Sequence, residues 1–197
     1  SRSRPRLTPY TALMLLLTLV IVIVVAVIAV GVAMYNGLIR SKNQVENAWS
    51  QIDVQLKRRL DLIPNLVDTV KGYAAHEQET FQQVIAARNA AIDAPNTPAG
   101  QAAPNDTLTG ALGKLFALSE AYPELKANQN FLALQEELTA TEGRVAYARQ
   151  FYNDSILDYN NKIESVPTVF VAKMLGYQQR EYFEADEAAR TAPGVGF

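Results

Sequence analysis

The stretch "VENAWSQIDVQLKRRLDLIPNLVDTVKGYA", residues 45–74, decides the fold class of this chain. Its apolar residues follow one another at steps of three or four, the spacing that places side chains on one face of a helix. They are Val45, Trp49, Ile52, Leu56, Leu60, Ile63, Val67, Val70 and Ala74. The pattern predicts a long helix whose apolar face packs against other helices.

Pro64 lies inside this pattern. A proline in a helix interior removes one backbone hydrogen bond and costs about 3 kcal/mol. Two interpretations remain open. The helix continues through a kink, which the unbroken apolar spacing favours, or it ends near Leu62 and restarts at Asn65, a good N-cap with Asp68 at the third position.

The rest of the chain also shows helical spacing. The first pattern continues to about Ile92, and residues 93–110, with three prolines and two glycines, predict a mobile loop. A second pattern predicts a helix of about forty residues from Pro123 to just before Pro167. Its predicted apolar face consists of Phe131, Leu134, Leu138, Thr141, Val145, Ala148, Tyr152, Ile156, Tyr159 and Ile163. A short helix ending at Gly176 and a polar helix over residues 177–190 are expected to follow. Since neither long helix can bury its apolar face alone, the two should pack as an antiparallel bundle.

Residues 12–34, "ALMLLLTLVIVIVVAVIAVGVAM", contain no charge. At about 1.5 Å per residue this helix reaches ~35 Å, enough to cross a hydrocarbon core of ~30 Å. The apolar region of a cleaved signal peptide is shorter, so the segment is predicted to be a signal anchor. The predicted order is a basic tail (1–11), a transmembrane helix (12–34), a helical-bundle domain (35–190) and a C-terminal tail (191–197).

The distribution of charged residues indicates the membrane orientation and the kinds of partner to expect. Arg2, Arg4 and Arg6 precede the apolar segment, and Arg40 and Lys42 follow it closely. The positive-inside rule therefore favours, by three to two, a cytoplasmic N-terminus with the bundle outside over the reverse. Three of the 18 basic residues lie in the tail, so the chain after the span carries 15 basic and 20 acidic side chains. It shows no basic stripe for nucleic acid.

The charged cluster Asp61, Asp68, His76 and Glu77 could suggest catalysis. A zinc site needs three or four ligands, but the chain has no cysteine and one histidine, and Thr80 stands where a zinc protease has its second histidine. Carboxylates spaced from lysines by one helical turn are explained by solvated ion pairs. We therefore predict no enzymatic activity, metal, cofactor or small-molecule substrate. The alternative is a hydrolase or regulator of membrane proteolysis that uses this cluster, which would require one shared pocket.

Two aromatic residues are candidates for contact with a partner. Trp49 lies on the apolar face of the first helix and is predicted to be a core or interface anchor. Phe170 lies in "VFVAKML", residues 169–175, which could form a membrane-surface or partner patch or be buried in the bundle.

The quoted stretch continues into "RRLDLIPNLVDTVKGYAAHE", residues 58–77, which with Ala87-Arg88 resembles the signature of the LemA family of bacterial membrane proteins. Further segments resemble that family: "YNGLIRSKNQVENAWSQIDVQLKRR" (35–59), "YPELKANQNFLALQEEL" (122–138), "ARQFYNDSILDYNNKIESVP" (148–167) and "YFEADEAARTAPGVGF" (182–197), in which "PGVGF" replaces a more usual ending with lysine and aspartate.

The resemblance implies a single-span anchor followed by a long four-helix, up-and-down bundle, with no established enzymatic activity or cofactor. It also implies links to the cell envelope, to magnetosome membranes and to gene neighbourhoods that encode a membrane metalloprotease.

These observations predict a single-pass helical scaffold or adaptor of the bacterial plasma (inner) membrane. Its expected partners are the lipid bilayer and other membrane or envelope proteins, in a larger assembly or a homo-oligomer. The candidate structural or interaction residues are Trp49, Asp61, Pro64, Asn65, His76, Glu77 and Phe170.

Overall fold

A computed structural model describes residues 9–183, and every regular element within that range is helical. The elements are α1 (Pro9–Lys71), α2 (Gln78–Asp93), α3 (Pro98–Ala117), a 3-10 turn (Leu118–Glu120), α4 (Pro123–Lys126), α5 (Gln129–Glu164) and α6 (Thr168–Met174). The predicted all-α fold is confirmed. The predicted tails lie outside the described residues over 1–8 and 191–197.

The described residues form two compact units. The first, here called the span unit, comprises residues 9–43 and 159–179 and contains the apolar segment. The second, the bundle unit, comprises residues 44–158 and 180–183.

Four helical segments pack together in the bundle unit: residues 44–71 of α1, α2, α3 and residues 129–158 of α5. Lys71 Nζ lies 5.8 Å from the centre of the Phe81 ring, so the end of α1 lies beside the start of α2. Gln101, in the first turn of α3, donates to a carbonyl in the last turn of α2. Phe116 and Phe131 place the end of α3 beside the start of α5, with ring centres 6.2 Å apart. The direction reverses at each step, which confirms the up-and-down order.

An apolar core joins these four segments. A large aliphatic or aromatic side chain contributes roughly 1.5–3 kcal/mol when it is fully buried. The core residues are Ile63, Leu66, Val67, Val70, Ala74, Phe81, Val84, Ala87, Leu108, Ala111, Leu112, Leu115, Leu125, Phe131 and Leu138.

The first helix does not end at Pro64. α1 continues through this proline, so the interpretation with a break near Leu62 and a new N-cap at Asn65 is wrong. The chain turns instead at residues 72–77, where Gly72 opens the turn, and the helix predicted to run to Ile92 is two helices. The apolar spacing did not show this turn because Val70, just before it, and Ala74, within it, are both buried and four residues apart.

The predicted loop over residues 93–110 is also wrong for most of its length, since α3 begins at Pro98. Thr97 caps the helix by accepting a hydrogen bond from Gly100 N at 3.1 Å, and Pro98 occupies the first turn, where the missing N–H costs nothing. The face of α3 that packs inward starts with Gln101 and Asn105, both buried. These polar residues concealed the apolar period.

The fifth helix is shorter than the predicted forty residues. Pro123 begins the one-turn helix α4, and α5 starts at Gln129, after Asn128 accepts a hydrogen bond from Phe131 N at 2.9 Å. The predicted apolar face of α5 is confirmed: its members are buried except the half-buried Leu134.

In the span unit, the apolar part of α1 is exposed along its length. It is the one helix in the described range that is long and apolar enough to cross a membrane. Gly176, with φ of +72°, follows the end of α6 as predicted. Residues 177–183 are irregular rather than helical, because side chains of α5 satisfy their carbonyls, as Tyr159 does for Gln178 at 3.0 Å. Residues 184–190 of that predicted helix lie outside the described range.

Candidate functional site

The four residues of the charged cluster do not meet in one cavity. Asp61 is exposed on α1 and lines a groove of about 230 Å³ that α2 closes on the other side. Asp68 is exposed seven residues later and lines a different groove, beside Asn130 of α5. His76 is exposed in the turn between α1 and α2, and lines neither groove. The arrangement does not supply the shared pocket that the hydrolase alternative requires.

Glu77 has a structural contact. It immediately precedes α2, and its Oε1 accepts a hydrogen bond from the Tyr122 hydroxyl at 3.0 Å. This hydrogen bond raises the pKa of Tyr122, because ionising the phenol would remove the donor and place two negative charges together. The contact ties the 72–77 turn to the segment before α4.

Residues 9–183 contain no group of three or more histidine, aspartate or glutamate side chains that could hold a metal ion.

Pro64 and Arg88 form a pair across α1 and α2. Pro64 has no N–H, so the Leu60 carbonyl one turn earlier lacks its helical donor. Arg88 Nε donates to this same carbonyl at 2.9 Å. The side chain of a neighbouring helix thus replaces the hydrogen bond that the proline removes.

Asn65, the next residue, is exposed inside α1, and its carbonyl accepts from Thr69 Oγ1 at 2.8 Å. Asn65 therefore lies on the exposed surface of α1 and is not the N-cap of a helix.

Arg59 is a buried cation that the sequence interpretation missed. Its side chain is 3% exposed, and its Nη2 donates to Thr109 Oγ1 of α3 at 2.8 Å. Burial lowers its pKa, and the Glu142 carboxylate opposes this effect. The available signal was the spacing Ile52, Leu56, Arg59, Ile63, which is a four-three-four repeat in which Arg59, rather than the half-buried Leu60, occupies the central position.

Trp49 is half-buried and packs inside the bundle unit. Its ring centre lies 6.0 Å from that of Tyr152 and 6.2 Å from that of Phe183. Asn153 holds Phe183 by pairing with both of its backbone groups, at 2.8 and 3.1 Å. The guanidinium of Arg149 lies 4.4 Å from the Phe183 ring centre, a cation–π contact. Trp49 therefore anchors residues 180–183 to α1 and α5.

An open groove of about 560 Å³ runs between α1 and α5 on the surface of the bundle unit. Val54 and Tyr147 line it and are 55% and 73% exposed. Ala140 and Gly143 also line it, and a Cβ added at Gly143 would meet nothing within 4 Å. Large apolar side chains beside small ones are what a partner helix needs for close approach.

Phe170 of α6 is exposed in the span unit, so its predicted burial in a bundle is wrong and its alternative as a surface patch remains.

The chain contains a long apolar helix that could cross a membrane, followed by an up-and-down helical bundle. The described residues contain no assembled catalytic centre. These features define the class of membrane-associated helical proteins. The chain belongs to the LemA family, whose sequence model matches residues 48–197. It is similar to Protein LemA of Metamycoplasma hominis, with 31% identity over 164 residues that cover 82% of this chain and 74% of the relative.

The chain is also similar to magnetosome proteins. MamQ 2 of Paramagnetospirillum magneticum and MamQ of Magnetospirillum gryphiswaldense are each 26% identical to it over 182 residues, covering 80% of this chain and 67% of the relative.

Proposed function

We propose that this protein is a membrane-anchored helical scaffold or adaptor that contacts other membrane or envelope proteins and performs no catalysis. Its partners would be the bilayer, through residues 12–34, and at least one helical protein or a second copy of the chain. Nucleic acid and small-molecule substrates are not expected.

The observation that carries this proposal is the groove between α1 and α5. A single exposed apolar residue is ordinary on a protein surface, but Val54 and Tyr147 flank a concave strip with a glycine and an alanine in it. Val54, Gln51 and Ser50 come from α1, while Tyr147, Arg144 and Gly143 come from α5. Both walls are rigid helices, so the groove is preorganised for a helix with apolar anchors at three- or four-residue spacing.

The relatives support a role at a membrane. Three of these relatives are named magnetosome proteins. A scaffold requires no shared pocket for Asp61, Asp68, His76 and Glu77, and these side chains lie in different places on α1 and the following turn.

A photo-cross-linking amino acid at position 147 tests the proposal in native membranes. The matched control places the same amino acid at Gln82, which is exposed on α2 and lines no wall of the groove. We expect position 147 to give a discrete cross-linked product, identified by mass spectrometry as a membrane or envelope protein or this chain itself, and position 82 to give none. Equal, diffuse cross-linking at both positions would contradict the proposal.

We further propose that the bundle lies outside the cytoplasm of a bacterial cell, with the N-terminus inside. The chain contains no cysteine, so a single cysteine introduced at Gln82 would be the only thiol. A membrane-impermeant maleimide should label it in intact spheroplasts. Labelling that occurs only after the cells are lysed would reverse the orientation and leave the scaffold proposal standing.

A further inference from the structure

An apolar face is exposed at α6. Phe170 and Met174 lie four residues apart in α6 and are 70% and 78% exposed, and Val166, in the turn before the helix, is 77% exposed. Residues four apart share one face of a helix. Ala172 is 1% exposed and points into the span unit. The helix is therefore held by one side and presents its largest apolar side chains on the other.

This face belongs to the same compact unit as the apolar part of α1. Lys162 Nζ donates to Gly37 O at 3.5 Å, and Gly37 comes three residues after the end of the 12–34 segment. Burial raises the pKa of Tyr177, and the Tyr35 hydroxyl contributes to this rise. Tyr177 follows α6 closely, so both ends of the 162–177 segment lie near the point where the apolar segment ends.

A tyrosine lies at each end of the apolar segment and indicates where the segment meets the two surfaces of a bilayer. Tyr10 and Tyr35 are exposed at its two ends, 79% and 45%, and at about 1.5 Å per residue the helix from Tyr10 to Tyr35 spans about 37 Å. Tyrosines at this spacing match the aromatic belts that sit at the two headgroup levels of a bilayer. Lys162 and Lys173, both exposed, lie in the segment that reaches the Tyr35 level. Their charges suit the headgroup region.

We propose that the α6 face formed by Phe170 and Met174 lies in the interfacial layer of the bilayer that α1 enters, so that α6 is a second, lipid-binding contact. The inference rests on the proposed membrane anchoring by residues 12–34 and is independent of the scaffold's protein partner. An amphipathic helix in this position buries its apolar residues at the boundary between headgroups and acyl chains. The contact adds affinity for the lipid surface. It also restrains rotation of the span unit about the long axis of its own transmembrane helix.

Site-directed spin labelling of the full-length chain tests this inference, because each introduced cysteine is the only thiol. The variants Phe170→Cys and Met174→Cys report on the α6 face. Leu17→Cys serves as the bilayer reference, and Gln82→Cys, on the surface of the bundle unit, serves as the aqueous reference. Each labelled chain is reconstituted into vesicles of phosphatidylcholine and phosphatidylglycerol at about one chain per vesicle.

Power-saturation measurements then compare collisions of each label with oxygen and with a water-soluble nickel chelate. Labels at positions 170 and 174 should show nickel collision rates several-fold below that at position 82, with oxygen favoured, at a depth shallower than position 17. If positions 170 and 174 match position 82 while position 17 reports the bilayer, the α6 inference is overturned and membrane anchoring stands. If position 17 is also aqueous, anchoring and inference both fail.

Spectra of the same labels at several chains per vesicle test a second copy of the chain as the occupant of this face. Dipolar broadening at position 170 that disappears only when unlabelled chain is added would show that another copy covers it, and would overturn the lipid contact. The lipid contact predicts two results. The labelled chains show no dipolar broadening before dilution, and the nickel collision rate stays low after excess unlabelled protein is added.

Discussion

Pro64 removes a hydrogen bond from the middle of α1, and Arg88 supplies the replacement from α2. Both residues belong to the LemA-like signature, and their contact gives that signature a physical meaning. A partly buried carbonyl without a donor costs about 1–3 kcal/mol. Arg88 stabilises the fold because it meets the one carbonyl in this part of α1 whose helical donor is missing.

A double-mutant cycle tests this pairing. Arg88→Met should lower the free energy of unfolding by roughly 1–3 kcal/mol, because it leaves the Leu60 carbonyl unpaired. In a Pro64→Ala background, where the introduced alanine restores the helical N–H, the same change should cost clearly less. Urea unfolding in detergent, followed by fluorescence of Trp49, the only tryptophan, measures all four chains. Strictly additive effects of the two substitutions would contradict the pairing.

Tyr152 links stability to alkaline pH. It is 4% exposed, its hydroxyl donates to the Glu181 carbonyl at 3.3 Å, and burial raises its pKa. A folded-state pKa above the unfolded value of about 10 means that its contribution is complete below that pH and is lost as pH rises through the folded value. The free energy of unfolding should therefore fall above about pH 10.

The variant Tyr152→Phe separates this group from the other tyrosines. The stability difference between wild type and variant should be largest near neutral pH and should shrink above about pH 10, where only the wild type can ionise at this position. Tyr147→Phe, at an exposed position, is the matched control. A difference between wild type and Tyr152→Phe that stays constant from neutral pH to about pH 11 would show that this phenol does not contribute to the alkaline loss.

At the scale of helices, apolar spacing predicted the helical character of α1, α2 and α5, but not the first half of α3 or the turn that divides α1 from α2. The α5 face was predicted because its members are apolar, apart from Thr141. Arg59, Gln101 and Asn105 were missed, since their polar side chains occupy buried positions through hydrogen bonds that apolar spacing does not register. The Arg59 partner, Thr109, lies on another helix and cannot be read from local sequence. The 72–77 turn was missed because apolar residues continue across it in phase.

The α2–α3 connection depends on a close approach at Gly100. A Cβ there would lie 2.6 Å from the Pro95 carbonyl oxygen and 3.0 Å from Thr97 Oγ1, the atom that caps α3. Gly100→Ala should therefore lower the free energy of unfolding by about 1–3 kcal/mol, although alanine normally favours helices over glycine. Gly110→Ala, in the same helix with open space around it, should be neutral or stabilising. Equal effects of the two substitutions in thermal unfolding would contradict this account.

At the scale of the whole molecule, the signature residues serve the fold, and the proposed function resides on surfaces. Arg59 and Pro64 with Arg88 organise contacts among α1, α2 and α3. The candidate contact surfaces, the groove of the bundle unit and the α6 face, lie outside the quoted 58–77 stretch. The apolar segment and the bundle could be predicted from the sequence, whereas the groove depends on which side chains α1 and α5 leave exposed once they have packed.

The most direct test compares a variant of the groove with a variant of the charged cluster, using the cross-linker at position 147 in native membranes. Gly143→Leu adds a side chain to the groove lining at a position where a Cβ would meet nothing within 4 Å, whereas His76→Ala together with Asp61→Asn removes the candidate acid–base groups. We expect Gly143→Leu to abolish the discrete cross-linked product and the cluster variant to retain it, with both proteins folded by circular dichroism. Loss of the product in the cluster variant and its retention in Gly143→Leu would contradict the account.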